Sequence, residues 1–188
     1  MPEGMRAGHP TSWRVMGQGE RPALAIHCGL AHSGERSGAM AHLGDRITLT
    51  AFDLPGHGRS GVWDGQGDYP RLCARIAASF VDRPLDLIGH SFGAVTALRL
   101  ALAAPDAIRT LTLIEPVLFA ATRGTPVWVA HRRASAPFEQ AMAEGRREDA
   151  ARLFTGLWGT GADWDSMPAE GRRALVERIH LIPASDPA

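Results

Sequence analysis

The chain reads as an α/β protein: a mostly parallel sheet with helices on both faces, followed by a helical segment. Three observations predict this. Strand and helix patterns alternate without a break between residues 24 and 116. Glycine-rich turns follow the strands. Beyond Pro116, helical periodicity replaces strand patterns altogether.

In chain order, "SWRVMG" is a short strand ended by the turn chemistry of "GQGERP". "ALAIH" (23–27) is an apolar run halted at Cys28-Gly29, as expected of a buried strand. "AMAHLG" (39–44) is the end of a helix with a glycine stop. "RITLTAFD" (46–53), rich in β-branched and aromatic residues, is a strand, and the loop "LPGHGRSG" ends it. "YPRLCARIAASFVD" places Leu72, Ile76, Ser79 and Phe80 on one helical face. "PLDLIGH" (84–90) is a strand, "FGAVTALRLALAAP" a helix stopped by Pro105, and "RTLTLIEP" (109–116) the next strand. "FEQAMAEGRREDAARLFTGLWG" and "MPAEGRRALVERIH" are amphipathic helices with no strand between them. The expected organisation is a core over residues 1–116 and a helical region over 117–188.

Composition narrows the function classes. At 188 residues the chain can bury one substantial core. Its 20 basic and 20 acidic residues cancel, which removes any global electrostatic reason to expect a nucleic acid or an anionic membrane as partner. Apolar runs are too short to span a bilayer, the N-terminus lacks a signal-peptide core, and a cytoplasmic location is the default expectation. Cys28 and Cys73 are too few for a disulfide framework. No metal-ligand spacing stands out, so no metal and no cofactor are expected.

The chemistry concentrates in "LIGHSFGAVTALRL". Ser91 lies where a parallel strand turns into a helix, at the carboxyl end where open α/β sheets bind ligands. Glycines at 89 and 93 have a steric reason there, because larger side chains would clash in so tight a turn. Such a turn lifts the Ser91 hydroxyl out of the sheet and aims the first helix amides at the same space, where negative charge is favoured. A nucleophile beside an anion site is what acyl transfer needs. The competing reading is a serine that merely caps its helix. "HCGLAHSG" and "FDLPGHGRS" follow neighbouring strands and lie at the same end. Asp53 and His57 in the second are expected to brace the loop.

Together, "HCGLAHSG", "FDLPGHGRSG", "LIGHSFGAVTALRLALAAPDAIRTLTLIEP" and the helical segment resemble the α/β-hydrolase family, in particular its cap-bearing esterase and haloperoxidase-like members. The resemblance spans roughly residues 11 to 180. It implies that Ser91 is the nucleophile and that the Phe92 amide forms one half of an oxyanion hole. The other half falls to Cys28 or Gly29, cysteine standing where the family usually has glycine. It further implies a cap over residues 117–180, no cofactor, and a small apolar acyl substrate. A serine at this corner argues against relatives with aspartate there.

The family orders its triad serine, acid, histidine. In most members the acid and histidine follow strands beyond the cap, and this chain stops after the cap, so a fragment or frameshifted product is expected. Glu115, closing "TLTLIE", is the candidate acid, the alternative being an acid in a missing segment. His27, His32, His57, His90, His131 and His180 each read more readily as structural than as the base, and His90 is expected to point away from Ser91. Two readings stand: a serine hydrolase, or a catalytically inactive protein that binds a small ligand or a partner. Strand 109–116 is expected to be an apolar edge open to self-association. Trp128, Trp158 and Trp164 are expected to pack the helical segment, with Arg132-Arg133 and Arg172-Arg173 on its solvated face.

Overall fold

The computed structural model describes residues 1–159 and 163–185. Residues 160–162 and 186–188 of the expected helical region lie outside them. Residues 1–117 make up most of one compact unit, and residues 118–183 most of a second.

The first unit holds six strands: β1 (Glu3–Arg6), β2 (His9–Met16), β3 (Arg21–Ile26), β4 (Ile47–Phe52), β5 (Leu85–His90) and β6 (Ile108–Ile114). They lie in the order β1-β2-β4-β3-β5-β6. β4, β3, β5 and β6 run parallel, and β1 and β2 add an antiparallel margin. The central strands are apolar because both faces are covered. Ala23, Leu24, Ala25 and Ile26 of β3 are all buried, as are Leu85 and Leu87 of β5.

Three helices intervene: α1 (Met40–Leu43), α2 (Tyr69–Ala78) and α3 (Phe92–Ala103). Asp68 caps α2 by accepting from the Arg71 amide at 2.8 Å, and Pro70 occupies its first turn. α2 buries Tyr69, Pro70, Cys73, Ile76 and Ala77. This differs from the expected face of Leu72, Ile76, Ser79 and Phe80. The helix ends at Ala78, so Ser79 and Phe80 belong to the following turn, where the Phe80 ring stacks on Phe52 at 5.3 Å.

At the amino ends of β3, β5 and β6, Asp86 accepts paired hydrogen bonds from Arg21 and Arg109 and a third contact from the Thr110 hydroxyl at 2.8 Å. The Arg109 guanidinium, with Thr110 and Arg21, holds the Asp86 carboxyl down at about 2. β6 pairs only with β5 among the described residues, and Arg109 through Thr112 are exposed.

The second unit is helical: α4 (Pro126–Ala143), α5 (Arg147–Trp158), α6 (Ala169–Arg178) and α7 (Leu181–Ala184). Gly145, at φ 72°, makes the break between α4 and α5. Trp164 is buried, whereas Trp158 is 47% exposed and joins Phe119, His131 and Trp128 in an aromatic cluster. Arg132 pairs with Glu139 on the exposed face of α4. Among the described residues, no helix is long and apolar enough to cross a membrane.

Candidate active site

Ser91 sits between β5 and α3 with φ 54° and ψ −118°, a conformation that non-glycine residues rarely adopt. The turn is forced from both sides. A Cβ on Gly89 would stand 2.5 Å from the Ala94 Cα and closer still to the Gly93 carbonyl oxygen. A Cβ on Gly93 would stand 2.5 Å from the His27 carbonyl oxygen and closer to that of Ile26. Glycine at 93 therefore lets α3 lie directly on the backbone leaving β3. The Ser91 amide donates to the Ile114 carbonyl at 2.9 Å, fixing the corner to the end of β6. The serine side chain does not cap α3, so the capping reading fails. Among the described residues the Ser91 hydroxyl has no hydrogen-bond partner, histidine or otherwise.

The loops after β3 and β4 are laced to each other. His27 lends its Nε2 to the Leu54 amide at 3.0 Å, and its Nδ1 donates to the Cys28 carbonyl at 2.7 Å. His57 returns the bond: its Nε2 accepts from the Leu30 amide at 3.0 Å and its Nδ1 donates to the Pro55 carbonyl at 3.0 Å. Burial pushes the His27 imidazole down to about 4, so it is neutral, as an acceptor Nε2 requires. Asp53 accepts from the Ser33 amide at 2.6 Å and the Arg59 amide at 2.9 Å. Burial raises its carboxyl, and those two amides together with the Ser33 side chain and His27 bring the net shift downward. Both rings and this carboxylate thus brace the loops.

The three amides expected to compete for an oxyanion differ in availability. The Cys28 amide donates to Glu35 Oε2 at 3.0 Å. By contrast, the Phe92 and Gly29 amides donate to no other group among the described residues.

Glu35 is the residue the sequence did not disclose. Besides holding the Cys28 amide, its Oε1 meets His90 Nδ1 in a short contact and Arg36 Nη2 at 2.7 Å. Burial raises the Glu35 carboxyl, and the Cys28 amide, His90 and Arg36 together bring it below its ordinary value. His90, whose ring was expected only to point away from Ser91, is held on its other side by Glu115, with Nε2 3.4 Å from Oε2. Glu115 itself has φ 47° and a side chain 84% exposed. Ligand atoms of Cys28, Glu35 and His90 lie within 4.8 Å of one another, the set among the described residues able to hold a metal ion. Burial and the neighbouring Glu35 push the Cys28 thiol up to about 12.

The remaining histidines are engaged elsewhere. His32 Nδ1 accepts from the Gly34 amide, His131 stacks on Phe119 at 3.8 Å, and His180 Nδ1 donates to the Glu177 carbonyl at 2.9 Å.

A family model described as the alpha/beta hydrolase family matches residues 23–187. Lipase LipV of Mycobacterium tuberculosis is 34% identical over 144 residues, covering 74% of this chain and 52% of the relative. The pimeloyl-[acyl-carrier protein] methyl ester esterase of Methylococcus capsulatus is 37% identical over 117 residues, covering 61% and 41%. In three dimensions, an alpha/beta hydrolase from Sphaerobacter thermophilus superposes with a TM-score of 0.70 at 21% identity, over 98% of this chain and 72% of that one. The chain spans about half the length of the curated relatives it matches.

Proposed function

The chain belongs to the alpha/beta hydrolase family, and on that premise we propose that it acts as a serine hydrolase of carboxylic esters or related small acyl compounds. One observation carries the reading. Ser91 is held at φ 54° with an uncommitted hydroxyl, and the amides of Phe92, next to it in the chain, and of Gly29, in the loop after β3, donate to nothing among the described residues. The esterase and lipase names of the relatives support the substrate class.

In this reading the Ser91 oxygen attacks the carbonyl carbon while its proton passes to a base. The resulting oxyanion is held by the Phe92 and Gly29 amides. Collapse returns that proton to the departing alcohol oxygen and leaves an acyl group on Ser91, which water then removes as the free carboxylic acid. Gly29 takes the second donor's place because the Cys28 amide is already bound to Glu35. Glu115 keeps the acid's role at the end of β6. The imidazole in its reach, His90, has its other nitrogen on Glu35 and is not arranged to take the serine proton. Residues 117–188 serve as the cap, and the open edge of β6 is the surface for self-association.

A second reading is favoured by the histidines. His27 and His57 have both ring nitrogens engaged, and no histidine bonds to Ser91 among the described residues. Under it the corner binds a small ligand without turnover. Labelling the purified chain with a fluorophosphonate, alongside Ser91→Ala, separates the two. Stoichiometric label on a peptide containing Ser91, absent from the variant and accompanied by aryl-ester turnover, supports the hydrolase. A folded protein that takes no label overturns it.

A further inference from the structure

We propose that Cys28, Glu35 and His90 form a binding site for a divalent transition-metal ion of the zinc type, independent of the hydrolase reading. No spacing in the sequence hints at it, because the three residues come from the strand end after β3, the following loop and the last position of β5. The fold alone assembles them.

The donor set is one thiol, one imidazole and one carboxylate, a mixture that suits zinc rather than the all-oxygen preference of magnesium or calcium. The ligand atoms lie within 4.8 Å of one another. Around a tetrahedral zinc, with bonds of about 2.0–2.3 Å, they would stand about 3.3–3.6 Å apart. Glu35 Oε1 and His90 Nδ1 now touch, so on binding those two would part to let the ion between them, a movement within reach of partly exposed side chains. Three protein ligands leave a fourth position open to water.

The outer contacts of such a site are already in place. Metal-bound histidines usually donate their second ring nitrogen to a carboxylate, which fixes the ring. Here Nδ1 faces Glu35 Oε1, and Nε2 faces the Glu115 carboxylate at 3.4 Å. The Glu35 carboxylate is fixed in the same way: Oε2 is held by the Cys28 amide at 3.0 Å, which leaves Oε1 as the ligand atom.

Arg36 opposes a cation there, with Nη2 2.7 Å from Oε1. That buried nitrogen makes no aligned hydrogen bond, so charge alone holds the pair, and a metal at Oε1 would have to displace it. The charges close in favour of the ion. Once the thiol proton has left to solvent, Cys28, Glu35 and Glu115 are negative and Arg36 is positive, so the cluster carries two net negative charges against a divalent ion.

The test uses the full, untagged chain stripped with a chelator. Zinc is titrated by calorimetry and by competition with a chromogenic chelator, and cobalt(II) is followed by its absorption spectrum. One zinc ion per chain is expected. Cobalt should give a near-ultraviolet thiolate charge-transfer band that is lost in Cys28→Ala and retained in Cys73→Ala. Cys28→Ala and His90→Gln should each weaken zinc binding about 100-fold or more, and Glu115→Gln about tenfold. The absence of one-to-one binding overturns the proposal, as does zinc affinity within about threefold of wild type in Cys28→Ala. Should the variants fail to fold, a wild-type cobalt spectrum without the thiolate band overturns it as well. Serine labelling does not enter these readouts, so this proposal and the hydrolase reading fail separately.

Discussion

Adding a single methyl group at Gly93 should damage this protein far more than its size suggests. The Cβ of Gly93→Ala would fall 2.5 Å from the His27 carbonyl oxygen and closer to that of Ile26. Carbon and oxygen need about 3.3 Å, so α3 would have to withdraw from β3 by about 1 Å. Neither obstacle is a side chain that can rotate away. Ile26 is hydrogen-bonded in the middle of the parallel sheet, opposite Gly89 on one side and Phe52 on the other. The cost should therefore reach the upper end of the usual range for overpacking, about 3 kcal/mol. Gly156→Ala in α5 supplies an internal control. Gly156 has nothing within 4 Å of its added Cβ and is exposed in a helix. Alanine there should stabilise by about 0.5–1 kcal/mol through helix propensity alone. Urea denaturation of both variants beside the wild type reads the pair directly. A loss below about 1 kcal/mol in Gly93→Ala would refute the close approach of α3 to the β3 backbone.

Three further outcomes follow from the same geometry. His27 titrates near 6.5 when unfolded and at about 4 when folded, so its contribution is complete above pH 6.5, declines as pH falls to 4 and is constant below. The decline amounts to about 3 kcal/mol, and stability curves of wild type and His27→Gln should converge across that window; parallel curves would exclude it. Ser91→Gly relieves a backbone conformation worth about 1–3 kcal/mol against a smaller entropic cost, so it should raise the melting free energy by about 1 kcal/mol while abolishing fluorophosphonate labelling. Asp53→Ala strands the Ser33 and Arg59 amides, each of which would cost about 1–3 kcal/mol unpaired. A drop of about 3 kcal/mol by calorimetry is expected, and an unchanged melting curve would show that water replaces the carboxylate.

The strands that carry the site were legible because burial on both faces writes itself into composition. "ALAIH" and "PLDLIGH" leave few polar positions, "RITLTAFD" declares itself by its β-branched and aromatic residues, and glycine lies at or just past each carboxyl end. The serine corner was legible for a different reason: its two glycines answer steric demands that no other residue meets. β1 was not, because "EGMR" has no alternation and pairs only through the tight turn at Ala7 and Gly8, both at positive φ. Nor was Glu35. A carboxylate in a loop carries no periodic signal, and its three partners lie 7 residues before it, next to it and 55 residues after it. The buried face of α2 does not follow helical spacing through Phe80 because the helix stops at Ala78 and the chain turns there.

The clasp of Asp86 by Arg21 and Arg109 has a bearing on the opposite end of the sheet. Parallel strands have no hairpin to set their register, and a slip of one residue would turn Arg109 to the other face and strip Asp86 of a partner. Three strands are thereby indexed at their amino ends. From Asp86 to Ser91 the chain climbs about 16 Å at the usual rise per residue. At the top of that climb, His90 stands opposite Ile114 and the Ser91 amide finds the Ile114 carbonyl. The alignment of the Ser91 corner is thus gauged from the far margin of the sheet, and a lesion at Arg109 would be felt at Ser91 without touching it.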